Sequence, residues 1–296
     1  MLILSKLKSS LIDLIPDRLF LEYRYKVVFN KPLSLTNPIT YNEKIQWLKL
    51  FDRNPEYINL VDKYAVKQIV AEKIGPEYVI PTLGVWKRYD DIAFDLLPDQ
   101  FVLKCTHDSG SVVIVKNKSL LNHSEAKERL EKSLKENFYY RGREWPYKNV
   151  TPQIIAENYL EGDLLNGGLT DYKLFFFDGV CKAILAGQNR FSNHGLEMTY
   201  YDPKWNRLPF TKGEDKTFYP SVKKPQQLDE MLELGTKLAQ KYPHVRMDFY
   251  IVDDHIYFGE YTFYPSSGFL KFNPESWDTI FGNWIKLPTN RRNCGF

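Results

Sequence analysis

Four polar residues near the C-terminal end of the chain have types and spacing that suit cation binding. They lie in two segments with the alternation of β-strands, 245–252 and 256–263, and are Arg246, Asp248, Glu260 and Thr262. Because strand side chains alternate between faces, Arg246 and Asp248 share the side opposite the apolar residues. If residues 253–255 form a three-residue loop, Asp248 faces Glu260 and Arg246 faces Thr262. The spacing then predicts one compact polar cluster.

The chemistry of this cluster depends on the register of the hairpin. Two carboxylates that face each other repel unless a cation lies between them, and magnesium prefers such oxygens together with phosphate oxygens and water. The alternative is an ordinary salt bridge between Arg246 and Glu260, and the hairpin alone does not decide between the two. A two-residue loop at Asp253 and Asp254 would instead place Glu260 on the opposite face from Asp248.

Two further polar segments lie upstream. Lys104 stands in the apolar strand 101–105, directly before the polar loop 106–110. An ammonium beside the backbone amides of a glycine and serine loop is typical of phosphate binding, although a lysine before a plain hairpin turn gives the same pattern. Farther along, an apolar strand reaches Glu157 and runs into the acidic, glycine-closed segment 158–162.

The elements that must position these residues are helical first and β-rich afterwards. Thr40 and Glu43 form a capping-box pair, Asp62 begins a second helix, and Gly75-Pro76 ends it. Ser124 is expected to cap a charged helix that runs to about residue 136, and Pro225 to begin another. The predicted strands form a hairpin, 101–105 with 111–115, and one antiparallel sheet made of 153–158, 172–178, 180–187 and 197–201.

Composition limits the class of protein. The 296 residues are 43% hydrophobic and 15% aromatic, which indicates a globular chain with a sizeable core in two or three lobes. A net charge of +3 from 40 basic and 37 acidic residues gives no case for nucleic acid. Three separated cysteines without a CxxC pair argue against a disulfide framework or a zinc site and favour the cytoplasm.

The N-terminal segment leaves two interpretations open. No apolar run reaches the ~18 residues that span a bilayer. Residues 2–15 nevertheless place leucines at helical spacing beside Lys6 and Lys8, which suits either docking on the rest of the protein or contact with the inner membrane surface.

The order of these motifs resembles the ATP-grasp superfamily. The motifs are Asp62-Lys63, Lys104 before its loop, the segment 156–162, Asp248, and Glu260-Tyr261-Thr262. Segments 39–47, 171–173 and 246–249 are similar to the teichuronopeptide-biosynthesis (TupA-like) branch, and the resemblance covers residue 30 to the end. It implies an α+β ATP-grasp fold in which two α+β lobes clasp ATP after a short helical N-terminal region. The expected division is 1–60 (helical region), 61–155 (lid lobe) and 156–296 (large lobe with the metal site).

The resemblance also implies which residues bind the nucleotide. Lys63 and Lys104 would contact the ATP phosphates, and Lys67 is an alternative ligand for which a solvated helix face is the favoured role. A loop would close over the phosphates with His107, Ser109, Gly110 and Ser111. Glu157 would accept a hydrogen bond from the adenine amino group, beside a hinge formed by the backbone of Asn158, Tyr159 and Leu160.

The implied chemistry is carboxylate–amine ligation through an acyl phosphate. Asp248 and Glu260 would hold one or two Mg²⁺ ions, and Thr262 replaces the family's usual asparagine, offering a hydroxyl oxygen instead of an amide carbonyl. Arg246 would hold the acyl phosphate, and Lys173 or Arg190 an acidic acceptor. The TupA-like branch is associated with surface polysaccharides, which implies a uronic-acid glycan or an amino acid as the carboxylate and an amino acid as the amine.

Three alternatives belong to other classes. A glycosyltransferase of polysaccharide synthesis commonly has an Asp-x-Asp motif, which the sequence lacks. An ATP-grasp phosphotransferase would stop after moving phosphate. A non-catalytic scaffold at the membrane surface would leave the two carboxylates without a purpose. The P-loop, Rossmann and HExxH signatures do not occur in the sequence.

Overall fold

A computed structural model describes residues 14–161, 170–188, 197–213 and 221–288. Eight helices lie within those ranges: α1 Asp17–Phe29, α2 Tyr41–Phe51, α3 Glu56–Val61, α4 Ala65–Ile74, α5 His123–Leu134, α6 Tyr139–Gly142, α7 Leu228–Ala239 and α8 Ser276–Trp284. The strands are β1 Thr82–Trp86, β2 Phe101–Cys105, β3 Val113–Val115, β4 Ile154–Asn158, β5 Asp171–Phe177, β6 Val180–Gln188, β7 Glu197–Tyr201, β8 Thr211–Lys212, β9 His244–Val252, β10 His255–Thr262 and β11 Phe272–Asn273.

The strands form two main antiparallel sheets. The smaller sheet has the order β1-β4-β2-β3 and the larger sheet has the order β10-β9-β5-β6-β7, while β11 and β8 pair separately. The predicted hairpin of β2 with β3 is confirmed, with Phe101 facing Val115. The single sheet predicted for residues 153–201 is wrong in one respect, because β4 pairs with β1 and β2 in the smaller sheet. Ile154 and Ala156 are buried in the core of that sheet.

Helices cover both faces of the larger sheet. Helix α7 packs closely on one face at Gly235, where an added Cβ would lie 2.4 Å from Cζ of Phe176. Helices α2 and α8 cover part of the other face, and the rings of Tyr41 and Phe281 meet edge to face at 5.7 Å. The uncovered remainder of that face carries the polar residues of β5, β9 and β10.

The helix boundaries test several sequence signals. The Thr40 and Glu43 capping box is present at the start of α2, and Gly75, with a φ of +119°, follows the last residue of α4. The cap of α5 is Asn122, whose side chain accepts from the Glu125 amide, so the prediction of Ser124 is wrong. Helix α7 begins at Leu228, three residues after the predicted start at Pro225.

No helix in the described ranges is long and apolar enough to cross a membrane. Most of the segment 2–15 lies outside those ranges, so both interpretations of it stay predictions. The division of the chain at residues 60 and 155 also stays a prediction; its second boundary falls inside β4.

Candidate active site

The β9–β10 hairpin brings the predicted cluster together through a two-residue turn followed by a β-bulge. The turn has two residues, Asp253 and Asp254, whose φ values of 51° and 61° suit a type I′ turn, and Val252 faces His255. The predicted three-residue loop is therefore wrong. A β-bulge between Phe258 and Glu260 then shifts the register by one residue. As a result, Glu260 faces Asp248 and Thr262 faces Arg246, which is the predicted pairing.

Gly259 is the extra residue of this bulge. A Cβ at this position would lie 2.9 Å from Cε2 of Tyr250 and 3.1 Å from the carbonyl oxygen of Asp248. Both distances are shorter than ordinary packing contacts, so a larger residue requires the strand or the tyrosine to move. Because glycine has no side chain, Gly259 permits the register that aligns Asp248 with Glu260.

Arg246 is bound to both carboxylates. Its Nε donates to Oδ1 of Asp248 at 2.6 Å and its Nη2 donates to Oε1 of Glu260 at 2.9 Å. Thr262 Oγ1 donates to the same Glu260 oxygen at 3.1 Å. The salt bridge between Arg246 and Glu260 that the sequence left open is therefore present.

Lys173 adds a second cation to Asp248 from the neighbouring strand. Residues 173 and 248 face each other across β5 and β9, and the Lys173 amine lies 2.5 Å from Oδ2 of Asp248 and 2.6 Å from Oδ2 of Asp171. Burial by itself would raise the pKa of Asp248, but the charges of Arg246 and Lys173 outweigh it and hold this pKa below its usual value. Asp248 is consequently ionised at neutral pH although it is buried.

The donor set fits a magnesium ion that takes its other ligands from phosphate and water. Asp248 and Glu260 supply carboxylate oxygens from facing positions, Thr262 supplies a hydroxyl, and Glu260 remains 39% exposed. In the described residues no group of three or more His, Cys, Asp or Glu side chains converges as a complete metal cage. A shared site between protein and phosphate is consistent with both observations.

On the smaller sheet, Glu157 is held by two lysines. Lys104 approaches Oε2 of Glu157 at 2.5 Å and Lys67 approaches Oε1 at 2.6 Å. Burial acts to raise the pKa of Glu157, but the two ammonium groups reverse this and lower it. The solvated role favoured for Lys67 is wrong, because its side chain is only 13% exposed and also donates to the Ile80 carbonyl at 2.6 Å.

Lys63 contacts the loop that follows β2, and charges from both sheets affect its pKa. Its amine donates to the Asp108 carbonyl, and its amide donates to the Thr106 carbonyl at 3.0 Å. Burial lowers the pKa of Lys63. The negative charge of Glu260 acts against this shift, and the positive charge of Lys104 adds to it.

The loop predicted to close over phosphates is anchored at both ends. His107 is buried with Nε2 3.1 Å from the Ser133 carbonyl, and Ser111 Oγ donates to the Asp108 carboxylate at 2.7 Å while accepting from the Cys105 amide. Only the tip, Ser109 and Gly110, is exposed. Phosphate contact from this loop stays a prediction, and the exposed tip is the part available for it.

A cavity of about 930 Å³ opens between the two sheets. Lys104, Glu157 and the hinge residues Asn158, Tyr159 and Leu160 line it from the smaller sheet, and Asp171 and Tyr250 line it from the larger one. Five of the predicted nucleotide residues therefore line one cavity, whereas Lys63, His107, Ser109, Gly110 and Ser111 are not among its lining residues. Arg190 lies outside the described residues.

The chain that follows β10 adopts an unusual backbone conformation. Ser266, Ser267 and Gly268 have φ values of 50°, 55° and 65°, a left-handed run in which the two serines cost about 1 kcal/mol or more each. Such strain persists only where the surroundings hold it.

Helix α2 holds this left-handed turn with three fully buried polar side chains. Lys49 donates to the carbonyls of Ser267 and Gly142, both at 2.7 Å, and to Ser267 Oγ at 2.9 Å. Gln46 donates to the Gly268 carbonyl at 2.7 Å, and Asn42 exchanges two hydrogen bonds of 2.8 Å with the backbone of Leu270. Sequence reasoning missed this contact, although polar residues at i, i+4 and i+7 of an apolar helix are a usable signal.

Several solved structures are similar to this chain. D-alanine–D-alanine ligase from Bacillus anthracis complexed with ATP is 17% identical, with a TM-score of 0.41 over 69% of this chain and 54% of that one. The Helicobacter pylori D-Ala-D-Ala ligase is 17% identical, with a TM-score of 0.43 over 84% and 69%. The ATP-grasp ligase PsnB complexed with minimal precursor is 12% identical, with a TM-score of 0.41 over 71% and 53%. The chain thus spans about half the length of the first and third of these ligases.

The family assignment rests on sequence. No curated protein matches the chain significantly. A family model described as TupA-like ATPgrasp matches residues 43–286, which is most of the 296-residue chain. This match confirms the resemblance found from the motifs and, with it, the α+β ATP-grasp fold class. The chain belongs to the TupA-like ATP-grasp family.

Proposed function

We propose that this protein is an ATP- and magnesium-dependent ligase that joins a carboxylate to an amine through an acyl phosphate. The observation that supports the proposal most is that each sheet carries a buried charged pair and that both sheets line one cavity. Lys104 and Glu157 pair on the smaller sheet and line the cavity, and Arg246 pairs with Asp248 on the larger sheet, whose Asp171 lines the same cavity. A nucleotide polyphosphate with a hard cation matches that distribution of charge.

The nucleotide would lie in the cavity between the sheets. The backbone of residues 158–160 would hydrogen-bond the base and Glu157 would accept from its amino group, while Lys63 and Lys104 would donate to phosphate oxygens. Lys104 is 17% exposed and ion-paired to Glu157, so phosphate binding exchanges one anionic partner for another instead of stripping a bare ammonium of water. When Lys104 turns to the phosphate, the ion pair with Lys67 would still balance the negative charge of Glu157.

Asp248 and Glu260 would hold the magnesium, which neutralises phosphate charge when bound. Hydrogen bonds of 2.6 to 2.9 Å hold Arg246 on both carboxylates. In this position its guanidinium would stabilise negative charge on the transferred phosphoryl group. Lys173, one of the two residues predicted to bind the acceptor, is paired with Asp171 and Asp248 and therefore acts as a positioning residue in this proposal.

No covalent nucleophile is needed for this reaction. Cys105 and Cys181 are free but buried, and burial raises the pKa of Cys105 to about 11 and that of Cys181 to about 12. Both are therefore protonated and poorly nucleophilic at neutral pH. Positioning of two substrates and neutralisation of charge would supply the catalysis.

The proposed substrates follow the family association with surface polysaccharides. The carboxylate would be a uronic acid of a glycan or its precursor, and the amine would be that of an amino acid, on the cytoplasmic side of the membrane. The test mixes purified protein with ATP, magnesium, uronic-acid glycans and amino acids, and follows ADP and amide formation. ADP with amide supports the ligase, ADP with a stable phosphorylated product supports the phosphotransferase, and sugar-nucleotide turnover without ATP use refutes both.

A single substitution tests the metal assignment. Glu260→Gln keeps the size and the acceptor for Arg246 but removes the ligand charge, so metal-dependent ATP turnover should fall about 100-fold or more. The matched control is Glu233→Gln on α7, which alters an exposed ion pair with Lys237. Unchanged turnover and unchanged magnesium dependence in Glu260→Gln would show that Glu260 is not a ligand.

A further inference from the structure

Lys173 bridges two carboxylates on the polar face of the larger sheet. Its amine lies 2.6 Å from Oδ2 of Asp171 on the same strand and 2.5 Å from Oδ2 of Asp248 on β9. Residues 173 and 248 face each other across the two strands, so the backbone pairing fixes the position of this contact. The side chains of Lys173 and Asp248 are only 17% and 2% exposed. The bridge is therefore part of the sheet's interior and differs from an ordinary surface ion pair.

Cations occupy both oxygens of Asp248, one of the two carboxylates that would hold magnesium. Arg246 donates to Oδ1 at 2.6 Å and to Oδ2 at 2.8 Å, and Lys173 donates to Oδ2 at 2.5 Å. An ionised carboxylate has about four acceptor positions, and these bonds fill three of them. Two positive charges at hydrogen-bond distance also repel a divalent cation that approaches the same group. A metal and the two side chains therefore compete for Asp248.

Lys173 is the cation that can leave Asp248 more easily. Its second partner, Asp171, is not one of the proposed metal ligands, so the ammonium stays paired after the contact with Asp248 is lost. Arg246, in contrast, is bonded at 2.9 Å to Glu260, which is the other proposed ligand. A metal on the two ligands would therefore disturb both of these contacts of Arg246 but only one of the two contacts of Lys173.

We propose that Lys173 is an internal counter-ion of the metal site, which holds the Asp248 carboxylate in place in the free protein and keeps only its Asp171 contact when the metal is bound. This inference rests on the proposed function, because it takes Asp248 and Glu260 as the metal ligands. The free protein should bind a divalent cation weakly, since Lys173 and Arg246 repel it. The phosphates of ATP bring negative charge that offsets this repulsion, so metal and nucleotide should bind cooperatively.

The test measures Mn²⁺ binding by titration calorimetry in the absence of nucleotide, because Mn²⁺ takes the same oxygen ligands as Mg²⁺. Wild type is compared with Lys173→Met, Lys173→Arg and the control Lys182→Met, at an exposed lysine on β6. Lys173→Met should bind Mn²⁺ about tenfold or more tightly than wild type, because one charge that competes for Asp248 is gone. Lys173→Arg, which keeps the charge, and Lys182→Met should bind it like wild type.

A double substitution separates the proposed site from a new one. Removing Lys173 leaves Asp171 and Asp248 without the charge between them, and two such carboxylates could bind Mn²⁺ by themselves. Lys173→Met combined with Glu260→Gln should lose the added affinity, because the metal is proposed to lie between Asp248 and Glu260. Added affinity that persists in the double variant would overturn the proposal. Equal Mn²⁺ affinity in wild type and Lys173→Met would overturn it as well.

Urea unfolding followed by circular dichroism keeps the test decisive if Lys173→Met is unstable, since removing one partner of a buried ion network destabilises a fold. A ligand that binds only the folded state raises its stability, so Mn²⁺ should raise the urea midpoint of Lys173→Met more than that of wild type. An equal or smaller rise would contradict the proposal. A gain in Mn²⁺ affinity that needs Glu260, in a protein whose wild type does not turn over ATP, would support the counter-ion and refute the ligase. ATP turnover by wild type without that gain would do the reverse.

Discussion

Replacing Lys49 by methionine should remove a specific pH dependence of stability. Lys49 is fully buried in α2 and its amine donates to three acceptors in Gly142 and Ser267. Burial lowers the pKa of Lys49 to about 7 from an ordinary value of 10.5, while nearby Glu144 raises it. Methionine has a similar shape and no charge, so the variant isolates the ionisation of the amine.

The direction follows from proton binding. Between pH 7 and 10.5 the unfolded chain keeps the proton on Lys49 and the folded chain increasingly does not, so the free energy of unfolding rises with pH across that window. The stability gained from deprotonating Lys49 is complete above its pKa of 10.5 in the unfolded chain, and it is lost as the pH falls to about 7. From pH 7 to pH 9 the two pKa values give an increase of about 2 kcal/mol in wild type. Lys49→Met should lack this increase.

The stability of Lys49→Met at pH 7 itself should differ little from that of wild type. Losing the donor leaves buried carbonyls unpaired at about 1–3 kcal/mol each. Removing a buried amine also removes a desolvation cost of similar size. The difference in pH slope is therefore the sharper observable.

Urea unfolding followed by tryptophan fluorescence at pH 7, 8 and 9 measures this slope. Burial raises the pKa of Glu144, which gives an opposite slope, so the comparison should be repeated in a Glu144→Gln background. Lys237→Met, at an exposed lysine on α7, is the matched control and should keep the wild-type slope. Parallel slopes for wild type and Lys49→Met would refute a lysine of depressed pKa in this core.

Four other substitutions test the bulge, the α5 cap and the phosphate site. Gly259→Val should lower the free energy of unfolding by about 1–3 kcal/mol in urea and raise the magnesium concentration needed for half-maximal ATP turnover, because the new side chain displaces the bulge that aligns Glu260. Asn122→Ala should destabilise the fold by about 1 kcal/mol, whereas Ser124→Ala should stay within about 0.5 kcal/mol, since only Asn122 caps α5. Lys104→Met should raise the KM for ATP about tenfold or more in steady-state assays, and an unchanged KM would remove Lys104 from the phosphate site.

The larger sheet shows how far local patterns reach. Alternation along 245–252 and 256–263 placed Arg246 and Asp248 on one face, and the Asp178-Gly179 turn and the Thr40 capping box were confirmed. These features depend on neighbours within a few residues, so their signals are contained in the sequence around them. The order of the dispersed motifs was sufficient for the family.

Contacts between distant segments were decided only by the tertiary structure. The bulge at Gly259 shifts the register that the two-residue turn sets, so that Glu260 faces Asp248. The local sequence does not indicate that a glycine is left unpaired at this position. Lys67 looked solvated because its helix was viewed alone, whereas Glu157, 90 positions later, buries it in an ion pair.

The sequence by itself determined most of the strands, the polar face of the last hairpin and the family, because periodicity and motif order are properties of the chain alone. The tertiary structure decided which carboxylate each of the described cations neutralises. Coulomb energy depends on distance in space, and only folding brings Lys173 to the face that carries Arg246 and Asp248.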